Sequence, residues 1–177
     1  ERATLHIAES GMKEAIETRL SDGLAALKPG EADSVVIAGM GGPLIIRILS
    51  AYPEVTDSLK ELILQPQSEI PEVRRWLYEQ GYEIMEEHMV FEDGKYYPMF
   101  KAVKNPQAEK LTDLEYKYGK LSVLKEHSVL KAYLVREIAN KQAILNKLNE
   151  ETTEKSRNRA EEIKTILAEL EEMRNEV

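Results

Sequence analysis

The chain has 177 residues, 42% of them hydrophobic and 32% charged, and a formal net charge of −8. That length holds one full domain and an appendage. The acidic balance excludes a general nucleic-acid coat, which is basic, and leaves open only a local basic site. There is no cysteine, so neither a disulfide framework nor a thiolate zinc site is available, as fits a cytoplasmic protein. No apolar run approaches the roughly 18 residues of a membrane span. Glu1-Arg2-Ala3 opens no apolar signal core. The chain starts inside a helical pattern and without Met, as expected of a piece cut from something longer.

Ala3 to Met12 reads as the tail of a helix, and Ile16 to Leu20 as a strand. Ser34 to Ala38 is a strand running into the glycine-rich turn Gly39-Met40-Gly41-Gly42, and a helix follows to Tyr52. A buried strand that ends in glycine and opens a helix is how α/β proteins place a ligand at a strand's carboxyl end. Glu61 to Gln65 is a strand stopped by Pro66. Ile70 to Gln80 is a helix, with Pro71 suited to its first turn and Gly81 at its exit. Tyr82 to Phe91 and Lys95 to Val103 are strands flanking Glu92-Asp93-Gly94, and Asp-Gly between two β-like runs is a strong hairpin signal. The order is alternating β and α units closed by an antiparallel hairpin, an α/β class. Runs such as Val35 to Ala38 suit a sheet buried on both faces.

The rest of the chain is different in kind. There is no glycine after Gly119 and no proline after Pro106, and the expected domains are 1–106 and 107–177. Leu134, Ile138, Leu145 and Leu148 form one heptad-like seam, and Ala160, Ile163, Leu167 and Leu170 form a second. The polar stretch from Asn149 to Glu154 lies between them. The reading is two long helices folded back as an antiparallel hairpin, since so narrow a seam does not hold a lone helix in water. The first is the more basic, with Lys117, Lys120, Lys125, Lys131, Arg136, Lys141 and Lys147. Spacing alone reads that run as a solvated face.

Several standard chemistries are absent. His6, His88 and His127 have no ligand-like spacing. No Gly-x-Ser-x-Gly elbow or Walker loop occurs. Glu86-Glu87 and Glu171-Glu172 sit in polar stretches and read as solvated. Asp22 follows the expected strand at Ile16 to Leu20, so it is either a carboxylate facing the ligand crevice or a helix N-cap; spacing supports both equally. The Gly39 to Gly42 turn lacks the dinucleotide fingerprint and no lysine follows it, so it is weak evidence for anion binding; the alternative is tight packing of helix on strand. Gln65 ends the next strand. Three successive strand ends carrying Asp22, Met40 and Gln65 are more informative than any one of them.

Together these segments resemble the bacterial tRNA methyltransferases that modify N1 of adenine 22. The matching pieces are Arg19-Leu20-Ser21-Asp22-Gly23-Leu24, Val36-Ile37-Ala38-Gly39-Met40-Gly41-Gly42, Ile48-Leu49 and Leu62-Ile63-Leu64-Gln65-Pro66-Gln67. Arg75-Trp76-Leu77, Glu87, Lys95-Tyr96-Tyr97, Tyr118-Gly119 and Tyr133-Leu134 continue the pattern. The resemblance implies a class I, Rossmann-like methyltransferase sheet with a C-terminal antiparallel coiled coil. It also implies S-adenosylmethionine as cofactor, tRNA as partner, and no metal or membrane. Asp22, Gly23, Leu24, Ala38 and Gly39 would then contact the cofactor. Gly39, Met40, Gly41 and Gly42 would line the slot where methyl meets base. Gln65, Lys117, Lys120, Lys125 and Lys131 would contact the tRNA. The resemblance turns the basic run from a solvated face into a phosphate-contacting one.

The family's opening strand end, of the form Asp-Ile-Gly-Ser-Asp-His, is not in this sequence, and neither is the acidic residue after its second strand. The sheet is therefore expected to be incomplete at its N-terminal side, and this chain alone to bind the cofactor poorly. Two alternatives remain at this point: another nucleotide-cofactor enzyme, such as an oxidoreductase, or a non-catalytic protein that recruits partners through the helical hairpin.

Overall fold

The computed structural model describes every residue except Glu1, Lys125, Glu126 and Thr152. The elements are α1 (Arg2–Glu9), β1 (Ser34–Met40), α2 (Gly42–Ala51), α3 (Pro53–Ser58), β2 (Glu61–Pro66), α4 (Ile70–Glu79), β3 (Tyr82–Glu92) and β4 (Lys95–Lys104). Then come α5 (Asp113–Tyr118), α6 (Leu121–Leu124), α7 (Ser128–Asn149) and α8 (Glu154–Glu176). The sheet order is β1-β2-β4-β3, with β1 parallel to β2 and the other two pairings antiparallel. The α/β class and the closing hairpin are as the sequence predicts. The turn is the two-residue Asp93-Gly94, with φ of 48° and 77°, so Glu92 pairs directly with Lys95. Positive φ at both central residues matches the right-handed twist of the strands.

One face of the sheet is packed. Ile37, Leu62, Leu64, Phe100, Ala102 and Ile84 join Ile45 and Leu49 of α2 and Val73 and Leu77 of α4 in a single core. The opposite face is polar and open: Lys101 pairs with Glu61 at 3.0 Å and Glu86 at 3.6 Å, and Val36 is 67% exposed. The expected burial of Val35 to Ala38 on both faces is thus corrected, because only Ile37 of that run lies in the core. α2 and α4 cover the face that carries Ile37, and the side that carries Val36 is left to solvent.

The expected strand from Ile16 to Leu20 does not form. Among the described residues no neighbouring strand pairs with it, and Leu20 is fully exposed. Side-chain chemistry fixes this segment instead. Arg19 binds Glu17 at 2.8 Å, Glu31 at 2.6 Å and the Ala26 carbonyl at 3.1 Å.

The C-terminal part is not a pair of helices from the start. Thr112 and Glu115 form a capping box that begins α5, and Gly119 ends it; two short helices thus precede the long hairpin. In the hairpin, Leu130 and Leu134 of α7 meet Leu170 and Met173 of α8, while Leu145 meets Ala160, Ile163 and Leu167. The start of one helix therefore packs on the end of the other, which is the antiparallel arrangement the two seams predict. Packing crosses the composition boundary at Pro106 in both directions. Leu111 and Tyr116 lie in the α/β core, and Met89 and Tyr96 of the β-hairpin pack with the arm.

Candidate functional site

The glycine-rich turn is locked to the loop after β2. The Gly39 amide donates to the Gln65 side-chain oxygen at 2.8 Å, Gln67 N–H donates to the Met40 carbonyl at 2.9 Å, and Gly42 N–H donates to the Ser68 carbonyl at 3.0 Å. Gly39 has φ of 75°, a conformation that a side chain makes costly. A Cβ there would meet only the Gln67 amide nitrogen at 3.9 Å, so the backbone faces open space. Gly42 is small for a different reason. A Cβ at that position would lie 2.6 Å from the Ser68 carbonyl oxygen and 2.8 Å from Val73 Cγ2. Tight packing thus accounts for Gly42, though against the β2–α4 loop and α4 rather than against a strand, while Gly39 faces open space. Met40 is 37% exposed beside it. Gly41 is the N-cap of α2, and Ala38 pairs with Gln65 across the two strands.

Asp22 lies in a turn after an irregular segment rather than at a strand end, so only two of the three expected strand ends exist. Its carbonyl accepts from Ala25 N–H at 3.3 Å, and the residue is exposed. Gly23 sits against Ile48 of α2, and Leu24 is buried in the main core, which fixes the turn beside that helix. The Arg19 cluster holds it from the other side. Hydrogen bonds from Arg19 and from the Lys28 backbone drop the Glu31 carboxyl to about 2.

The lysines separate into different environments. Lys131 is exposed on α7. Lys117, in the last turn of α5, pairs with Glu169 at 2.5 Å while staying partly exposed. Lys120 is turned inward: its ammonium donates to Glu83 at 2.8 Å and to the Ile84 carbonyl at 2.9 Å, with 16% of the side chain exposed. That corrects the expectation of a phosphate contact, because the Lys120 ammonium is already held by half-buried acceptors. The same bond lowers the Glu83 carboxyl below its usual range. Lys125 lies outside the described residues.

Sequence reasoning missed Glu87 and Arg74. Glu87, expected to be solvated, is 3% exposed, and Arg74 is 1% exposed. Arg74 binds Glu87 through Nε and Nη2 and donates to the Tyr116 carbonyl at 3.0 Å and the Lys117 carbonyl at 3.3 Å. Glu87 also accepts from Lys120 N–H at 3.0 Å. A β-bulge between Ile84 and Glu86 makes this possible. The extra residue shifts the alternation, so Glu87 and Met89 point inward where an unbroken strand would direct Glu86 and His88. His127 caps α7 by accepting from Leu130 N–H at 3.3 Å. Among the described residues no group of three or more His, Cys, Asp or Glu is placed to hold a metal ion. No described helix is long and apolar enough to cross a membrane.

A model of the family described as tRNA (adenine(22)-N(1))-methyltransferase, TrmK, matches residues 1–172. A curated tRNA (adenine(22)-N(1))-methyltransferase of Bacillus subtilis (strain 168) is 41% identical over 100 residues, 56% of this chain and 42% of that protein. The chain thus matches less than half the length of that relative. The solved structure of the Bacillus subtilis tRNA methyltransferase TrmK is similar at a TM-score of 0.78 and 30% identity, covering 97% of this chain and 76% of that one. A Streptococcus pneumoniae protein crystallised with S-adenosyl-L-methionine is similar at a TM-score of 0.81 and 26% identity, covering 97% of this chain and 74% of that one. These likenesses agree with the Rossmann-like class. The family match spans nearly the whole sequence, both the sheet and the helical arm: the chain belongs to the tRNA (adenine(22)-N(1))-methyltransferase family.

Proposed function

We propose that this chain acts in S-adenosylmethionine-dependent methylation of N1 of adenine 22 in tRNA, in the cytoplasm. The observation that carries the reading is the Gly39–Gly42 turn, open at Gly39 and Met40 and held by Gln65, in a chain of this family. The residues present fit one side of the cofactor. Gly39 offers bare backbone with nothing closer than 3.9 Å to a would-be Cβ, and Asp22 offers an exposed carboxylate for an exocyclic amine. Gly23, Leu24 and Ala38 would shape that side of the pocket. The cofactor supplies the methyl group from its sulfonium.

The chain's own work is positioning. Neutral adenine already carries a lone pair on N1, so no strong base is needed to begin, and alignment with the methyl carbon governs the rate. N1 lies on the pairing edge, so the target base must be unpaired or flipped out to reach the turn. Backbone carbonyl dipoles around Gly39 to Gly42 stabilise the positive charge that grows on the base. Gln65 keeps that backbone in place, while Lys117 and Lys131 meet phosphates.

The test incubates the protein with methyl-labelled cofactor and tRNA that lacks the modification, then digests the tRNA and maps the label. Label recovered as 1-methyladenosine at position 22 supports the reading. Label at another nucleotide, or none under conditions where the cofactor binds, overturns it.

A further inference from the structure

Between the end of β2, the tip of the β3–β4 hairpin and α7 lies a cleft of about 440 Å³. Its size is within the range of about 300–1,000 Å³ that small-molecule sites occupy. Gln65 and Gln67, which hold the glycine-rich turn, form one wall. The opposite wall is aromatic. Tyr96 meets Tyr133 edge-on at 5.1 Å and Phe91 at 4.6 Å, so its ring is fixed before any ligand arrives. Tyr97, the next residue along β4, is half-buried and lies on the sheet's open face with Lys101. At the mouth, Lys95 is exposed. Arg136 lies over the Tyr96 ring at 5.6 Å and uses Nη1 to donate to the Gly94 carbonyl at 3.0 Å. A guanidinium has five donors, so the others remain for an anion. Of the acids at this end, Glu137 faces Lys141 at 3.7 Å and accepts from Asn140 at 3.2 Å, while Glu92 stands opposite Lys95 across the hairpin and Asp93 is in its exposed turn.

We propose that this cleft receives the unpaired nucleotide next to the methylated adenine, its base stacked on Tyr97 and its phosphate held by Lys95 and Arg136. The inference rests on the proposed RNA substrate and adds to it a subsite built jointly by the β-hairpin and the helical arm. The chemistry selects a nucleotide over other occupants of this size. Planar rings with flanking cations are how proteins hold single-stranded bases without reading their identity. Lys95 and Arg136 set two cations beside the aromatic rings, the pairing a phosphate and its base would use. Gln65 and Gln67 line the cleft and also bind Gly39 and Met40, so a nucleotide docked there would lie next to the one at the turn.

The experiment compares Tyr97→Ala, Lys95→Gln and Arg136→Gln with the parent protein. The readouts are tRNA affinity at several salt concentrations, cofactor affinity, and binding of tRNA carrying an abasic site on either side of adenine 22. Tyr97→Ala is expected to weaken tRNA binding about 10-fold with cofactor affinity unchanged. Each cation variant is expected to lower the slope of log affinity against log salt by about 1. An abasic site on one flank should weaken the parent protein and have no further effect on Tyr97→Ala. Additive losses from the abasic site and Tyr97→Ala overturn the proposal, as does tRNA binding by Tyr97→Ala equal to that of the parent. The two readings fail in different ways. If the parent protein with cofactor bound does not modify adenine 22, the function is wrong; if it does and Tyr97→Ala matches it in tRNA binding, only the subsite is wrong.

Discussion

Replacing Glu87 by Gln is the sharpest perturbation of how the helical arm is attached. The pair is almost dry, with Arg74 at 1% and Glu87 at 3% exposure. Glutamine keeps the volume and removes the charge. It also presents an NH2 where one carboxylate oxygen now accepts, either toward the Arg74 guanidinium or toward Lys120 N–H. A guanidinium left without its counter-charge in such surroundings costs about 3–5 kcal/mol. For a chain of this length each kcal/mol moves Tm by about 2–4 °C, so the expected drop is about 6–20 °C. Urea unfolding followed by the fluorescence of Trp76, the single tryptophan and a neighbour of Arg74 in sequence, reads the change directly. Arg74→Met should cost a similar amount, because the Tyr116 and Lys117 carbonyls lose their donor too. The double variant should lose less than the sum, with a coupling of about 2 kcal/mol or more. A loss below about 1 kcal/mol for Glu87→Gln, or strict additivity, would refute the account.

Other consequences are as concrete. Gly42→Ala forces its methyl to 2.6 Å from the Ser68 carbonyl, so α2 and the β2–α4 loop must part; a cost of about 1–3 kcal/mol is expected in thermal melts, and wild-type stability would contradict it. Glu31 has a folded value of about 2 against an ordinary 4.5. Its contribution to holding the Asp22 turn is full above 4.5 and disappears as pH falls toward 2, and a carboxyl NMR titration with a midpoint near 4.5 would show the bond to Arg19 is absent. Asp22→Ala should weaken cofactor binding and leave the melting temperature nearly unchanged, since Asp22 is exposed; calorimetry with equal affinities for both proteins removes its proposed role. Lys131→Glu should weaken tRNA more than cofactor, and equal losses would indicate damage to the arm.

Local signals wrote much of this fold. Asp93-Gly94 announces a two-residue turn, Val35 to Ala38 a strand, and the Leu134 and Ile163 seams a helical hairpin, because each needs only neighbouring residues to be read. The failures share a cause. Whether Ile16 to Leu20 becomes a strand depends on a partner in space, and none is present among the described residues. Glu87 looks like a solvated acid until the bulge beside Met85 reverses its direction, and no periodicity argument anticipates one inserted residue. A signal for the clasp did exist: Arg74 falls beside Val73 on the apolar side of α4, where an arginine must find a carboxylate. Lys120 resembles its neighbours in sequence, yet it follows Gly119, where the chain turns back toward β3, so its ammonium meets Glu83. Of the site, the glycine turn and Gln65 were legible because strand ends define a rim. The aromatic cleft was not, since it joins residues 65–67, 94–98 and 133–137.

The two features that methyl transfer to an RNA would require meet on consecutive residues of one helix. Val73 packs where Gly42 lacks a side chain, and Arg74 holds Glu87 and the last carbonyls of α5. The loop that opens the helix binds the glycine turn through the Ser68 carbonyl. From the turn to α5 the path therefore runs through packed atoms and hydrogen bonds of the described residues. This rigidity has a chemical purpose under the proposed function. A large folded RNA is gripped by an arm far from the reacting nitrogen, and a misplacement of about 1 Å at that nitrogen can lower the rate about 100-fold. An arm on a loose tether would add affinity and lose alignment. Under that proposal, an arm clamped through a dry Arg74–Glu87 pair would turn phosphate contacts on α7 into a defined position for the base at Gly39 and Met40.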